Sequence, residues 1–135
     1  MHPELNDHSC VVRTATGELL ASDEHGILPP LRWLRNSANS GGELAILRGA
    51  DVADRVIGKA AALLFAYGGV RSLWAARMSE AARDFLQTTG IVFEYGELVP
   101  AILNRDGTGL CPMEQRALGI DEPGEAFALF DGLIA

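Results

Sequence analysis

Lysine is almost missing from this chain of 135 residues: there is one, Lys59, against ten arginines. Positive charge as a whole is scarce, and the formal net charge is −7. That balance argues against loose electrostatic binding to nucleic acid or to an anionic membrane surface. Long apolar runs are missing too. The longest, residues 60–67, falls far short of the roughly 20 residues that span a bilayer. The opening MHPELNDHSC has no basic stretch followed by an apolar one, so no secretory signal is visible and a cytoplasmic location is expected. Cysteine is limited to Cys10 and Cys111, enough for one disulfide at most, and free thiols are the better reading. The three histidines, His2, His8 and His25, all lie near the start without ligand spacing, and they suggest no metal site.

What is present fits one globular domain over residues 1–135. Hydrophobic residues make up 48% and charged residues 21%, a balance that supports a real core and excludes a disordered chain. The length suits one domain and is too short for two ordinary ones. There is no internal repeat and no low-complexity tract.

Local signals divide the chain into alternating elements. Residues 10–14 and 18–22 flank a turn at Thr16-Gly17 and predict a β-hairpin. Pro29-Pro30 marks the start of a helix running to about residue 38, followed by a loop at Ser40-Gly41-Gly42. Residues 44–48 (LAILR) predict a short strand. Asp51 and Asp54, three apart, resemble a capping start for a helix over 52–67 that stops at Gly68-Gly69. Strands are expected at 70–76 and 91–95, with Ser79 capping a helix over 80–87 between them. Residues 104–109 (NRDGTG) form a glycine-bearing turn. A helix then opens at Cys111-Pro112 and ends near Gly119, and a last, weaker helix covers 122–133. Strands alternating with helices argue for an α/β sandwich with the hairpin first.

Read as a helix at about 100° per residue, residues 52–67 are apolar nearly all round, the mark of a central buried helix. Arg55, Gly58, Lys59, Ala62 and Ala66 share the remaining arc, with the small residues allowing another backbone to approach. Lys59 then stands near the positive end of a helix dipole, unfavourable for a cation by roughly 0.3–1 kcal/mol. It is either a snorkelling lysine at the helix edge or a pocket lysine facing an anion, with free helix-start amides beside it. Asp51, Asp54 and Glu80 are possible partners for it.

The stretches GKAAALL (58–64), MSEAA (78–82) and NRDGTGLCPME (104–114) resemble a small family described as a domain of unknown function and placed in the cytidine deaminase-like fold superfamily. The resemblance extends over residues 17–119. It implies a three-layer α/β/α sandwich with a mixed central sheet and helices on both faces. The helix over 52–67 would match the deaminase helix that opens with H-x-E, and the helix after Met78 the one that opens with P-C-x-x-C. Lys59-Ala60-Ala61 stands at the first place, with neither ligand nor acid. Met78-Ser79-Glu80-Ala81-Ala82 stands at the second, with Ser79 and Ala82 where cysteines would be. No zinc, no other cofactor and no conventional hydrolytic deamination are therefore expected. Lys59 would occupy the place where the metal site opens, and superfamily habit implies a homodimer.

The expected function is binding of a small anionic or nucleotide-like metabolite, with Lys59, Ser79, Glu80, Asn104, Arg105 and Gly109 as candidate ligand-binding residues. Arginine offers a planar fork for carboxylate or phosphate, and Gly107 and Gly109 permit an anion-binding backbone nest. Two alternatives stand beside it. One is a metal-independent enzyme using Lys59 as amine or base, or Cys111 as a thiolate favoured by a helix start. The other is a non-catalytic scaffold or regulatory subunit, in which Lys59 would be salt-bridged. Trp33 and Trp74 read as core or interface aromatics.

Overall fold

The computed structural model describes residues 2–39, 45–104 and 106–134. The hairpin is present: β1 (Cys10–Arg13) pairs antiparallel with β2 (Leu19–Ser22). Gly17 turns the chain at φ 93°, a left-handed value that glycine adopts without a Cβ penalty. Helix α1 (Leu28–Asn39) carries both prolines in its first turn, where missing amide donors cost nothing. The expected loop at 40–42, Leu44 and Arg105 lie outside the described residues. Residues 45–48, expected as the rest of a strand, close into turns instead: Arg48 N donates to Ala45 O and Ala50 N to Leu47 O. Leu47 is still only 2% exposed, so its apolar character serves packing.

The largest correction concerns residues 51–57. They are not the first two turns of a helix but a strand, β3 (Asp51–Ile57). Val52, Val56 and Ile57 are β-branched and suit a pleated surface. Gly58 then breaks the pattern, and helix α2 (Lys59–Gly68) starts behind it. Arg55 and Lys59 are therefore on different elements and not one helical turn apart. Gly69, at φ 80°, ends α2 as expected, with Gly69 N donating to Ala66 O and Val70 N to Phe65 O. Next come β4 (Ser72–Ser79), α3 (Glu80–Leu86) and β5 (Val92–Val99), close to expectation though both strands run further. Leu103 bridges Leu110 across the 104–109 turn, and α4 (Pro112–Ala117) and α5 (Pro123–Leu133) complete the chain.

The sheet order is β2-β1-β3-β4-β5. β1 is antiparallel to both its neighbours, while β3, β4 and β5 are parallel. Parallel neighbours need a crossover, which α2 and α3 supply. This mixed five-stranded sheet with helices is of the α/β class.

Register sorts the side chains. Leu20, Val12, Val52, Leu73 and Phe93 form one row across all five strands, and all but Leu20 pack in or against the core. The adjacent row, Ala21, Val11, Ala53, Trp74 and Glu94, faces the other way by strand alternation. There His2 stacks on Trp74, with ring centroids 4.4 Å apart. Helices α1, α3, α4 and α5 all touch α2, and Lys59 through Phe65 of α2 are buried. The expectation of a central helix thus holds, with a later start. Among the described residues no helix is long and apolar enough to cross a membrane.

Candidate functional site

The next helix-facing row runs Ser22, Cys10, Asp54, Ala75 and Tyr95. An aspartate there is anomalous, because its neighbours are core positions: Cys10 and Ala75 are fully buried and Asp54 is 6% exposed. Its Oδ1 accepts from Val56 N at 3.3 Å. Its Oδ2 is buried with no hydrogen-bond partner at normal geometry. Burial pushes the Asp54 carboxyl up to about 7, against weaker opposing contributions from the Val56 amide, the Cys10 thiol and Arg55. The same burial, and then the Asp54 charge, push the Cys10 thiol far up, which makes it inert as a nucleophile at neutral pH.

Asp54 borders space. A cavity of about 250 Å³ lies at the carboxyl end of β3, bounded by Asp54, Arg55, Val56 and Gly58, and by Ala61 on α2. Ser9, His25 and Ile27 form another wall, from the segments that precede β1 and α1. Ile102, Leu103, Cys111, Met113 and Glu114 form the roof. The lining is mostly apolar, with few polar groups, as in small-molecule sites; the volume lies below the roughly 300–1,000 Å³ typical of them. Any occupant is therefore small.

Glu114 holds the roof down. Its Oε1 accepts from Lys59 N at 2.7 Å and its Oε2 from Ala60 N at 2.8 Å, so one carboxylate takes the first two amides of α2. Burial raises the Glu114 carboxyl, and these two amides and the Lys59 charge act the other way. Gly58 makes the approach possible, since a Cβ there would sit 2.2 Å from Glu114 Oε1. Glu114 stands in the first turn of α4, yet it caps α2.

The residues expected to form a site are dispersed. Lys59 is buried, but its Nζ donates to Asp121 Oδ1 at 2.9 Å and to Leu118 O at 3.2 Å. That end lies in a separate cleft with Asp84 and Thr88. Neither Asp51, Asp54 nor Glu80 is its partner. Asp51 is buried and accepts from Arg13, Arg71 and Ser72, and the Arg71 hydrogen bond above all holds its carboxyl well below the usual range. Ser79 caps α3, accepting from Ala82 N, and Glu80 is exposed in the first turn. Asn104 folds the turn on itself: its Oδ1 accepts from Thr108 N and its backbone O from Gly107 N. Gly109 O accepts from Asn104 N. Of the expected residues that are described, only Cys111 lines the cavity, at the start of α4 and without a side-chain capping bond. Asp54, His25 and Glu114 were the residues missed. Among the described residues no group of three or more His, Cys, Asp or Glu side chains is placed to hold a metal ion.

A mixed five-stranded sheet with helices, and a partly closed hollow beyond one strand's carboxyl end, defines a domain of the α/β class. The chain belongs to the TM1506 family, a domain of unknown function (DUF1893), matched over residues 4–134. It is similar to the crystal structure of a DUF1893 family protein (TM1506) from Thermotoga maritima, with 25% identity and a TM-score of 0.82, over 96% of this chain and 82% of that one. No curated protein matches it.

Proposed function

We propose that this protein binds a small organic molecule in the cavity at the carboxyl end of β3, as a zinc-free member of the cytidine deaminase-like fold. The observation that carries the reading is Asp54, a buried carboxylate with an unpartnered oxygen in a helix-facing row. Folding alone does not favour such a residue, because an unpaired buried polar group costs about 1–3 kcal/mol. It is retained where a ligand can satisfy it.

Lys59 does not carry this function. Its positive charge is taken by Asp121 and the helix-start amides beside it by Glu114, so both anion-binding features of the sequence are already in use. Lys59-Ala60-Ala61, at the start of α2, carries neither the ligand nor the acid of an H-x-E start, which supports binding over hydrolytic deamination. The second reading is a scaffold or regulatory subunit, favoured by the salt-bridged Lys59. A cytoplasmic homodimer is the assembly either reading expects.

Native mass spectrometry of freshly purified, untagged protein tests the proposal. The expected result is a bound mass released on denaturation and absent from Ile102→Trp, which places a larger ring in the roof. An adduct held equally by both proteins, or by neither, overturns it.

A further inference from the structure

We infer that the cavity takes a compact cation, an amine, amidine or guanidinium head on a short apolar body, with that head set against Asp54. The inference rests on the reading of the cavity as a ligand site and adds the chemistry of the ligand. Asp54 Oδ2 has no hydrogen-bond partner at normal geometry, and among the described residues no cation forms an ion pair with it. Lys59 is engaged with Asp121, and Arg55 reaches away to Asn6 O with its Nη2 at 2.8 Å. The one other carboxylate of the cavity, Glu114, is already satisfied by two amides. An anion entering here would meet two carboxyl groups, while among the described residues the one guanidinium of the lining, Arg55, is hydrogen-bonded to Asn6 O. A protonated nitrogen would instead complete a buried ion pair, and its apolar body would meet Ile102, Leu103 and Met113.

The titratable and charged groups around Asp54 are Cys10 on β1, Arg55 on its own strand, His25 ahead of α1, and Cys111 and Glu114 at α4. A cation needs the ionised carboxylate, and burial pushes Asp54 up to about 7. Affinity is therefore expected to rise about tenfold from pH 6 to pH 8. His25 lines the same cavity, so its variant is needed to separate the two groups.

The test uses the full chain, calorimetry, and three probes of one shape: benzamidine as the cation, benzamide as its neutral isostere and benzoate as the anion. Benzamidine should bind at least tenfold tighter than benzamide at pH 8, with the rise from pH 6 intact in His25→Gln. Asp54→Asn should abolish both the preference and the rise. Benzamide or benzoate binding as tightly as benzamidine would overturn the cation and leave the cavity standing as a ligand site. A cavity that admits none of the three at millimolar concentration overturns both readings. A pH rise lost in His25→Gln and kept in Asp54→Asn would assign the proton to His25 and overturn the role of Asp54.

Discussion

Replacing Asp54 by asparagine should make the protein more stable relative to wild type, and increasingly so as the pH rises. In the folded state the carboxyl holds its proton up to about pH 7, whereas its ordinary value is 3.8. Between those values the folded state binds more protons than the unfolded one. The stability linked to this group is fully present below pH 4 and is lost as the pH rises through 7. From pH 5 to pH 8 the loss amounts to about 2–3 kcal/mol. Asparagine keeps the side-chain shape and removes the titration. Glu114, whose carboxyl burial also raises, is present in both proteins and cancels in the difference. The assay is urea unfolding followed by circular dichroism at pH 5, 6, 7 and 8. The offset at pH 5 reports how well the amide is accommodated, while the slope reports the carboxyl. A gap that stays constant within about 0.5 kcal/mol, or that narrows with pH, would refute a buried, unpaired Asp54.

Three further outcomes follow from the same geometry. Glu114→Gln should cost about 2 kcal/mol, because an amide presents a donor to one of the two α2 amides, and thermal unfolding should fall by roughly 4 °C per kcal/mol. Gly58→Ala should cost a similar amount by displacing the same carboxylate, and the double variant should be clearly less than additive; full additivity in the cycle would show that the two residues do not act through one contact. Lys59→Met should change stability by less than about 1 kcal/mol, since Asp121 is exposed and methionine fills a similar volume; it should also leave any bound mass in place, and loss of that mass would return the ligand to the lysine. Asp51→Asn should cost about 1–2 kcal/mol at neutral pH, with the exposed Arg71 discounted for screening. Its depressed carboxyl contributes stability that is present above the ordinary range near pH 4 and lost as the pH falls below it, so acid titration should narrow the gap to wild type.

Much of the fold was legible because its signals are local. Pro112 and Pro29-Pro30 open helices, Ser79 caps α3, and Gly69 closes α2, each through chemistry confined to one turn. The strand at 51–57 was not legible in the same way. Asp51 and Asp54 are spaced as capping residues are, and the apolar residues beyond them continue without a gap into α2. Only the β-branched residues and Gly58 marked the change of period, and helical propensity arguments passed over both. The site was harder still. Asp54 acquires its meaning from Cys10 and Ala75, which register places beside it. Glu114 acquires its meaning from amides 55 and 54 residues away. Nothing in the sequence around either residue announces these partners. The lysine drew notice by being alone of its kind, yet its side chain ends in an ordinary salt bridge, while its backbone amide supports the cavity roof.

That amide gives the roof a clock. Lys59 N and Ala60 N are bonded to a side chain far along the chain, not to the helix they begin, so their protection from solvent hydrogen exchange belongs to the Glu114 contact. Ala62 N, two residues further in, is bonded to Gly58 O and opens only with the helix itself. Two neighbouring stretches of one helix thus time two different events, the lifting of the segment that covers the cavity and the melting of α2. Exchange at the first two amides can run ahead of exchange at Ala62, and the ratio of the two rates reads the Glu114 contact alone.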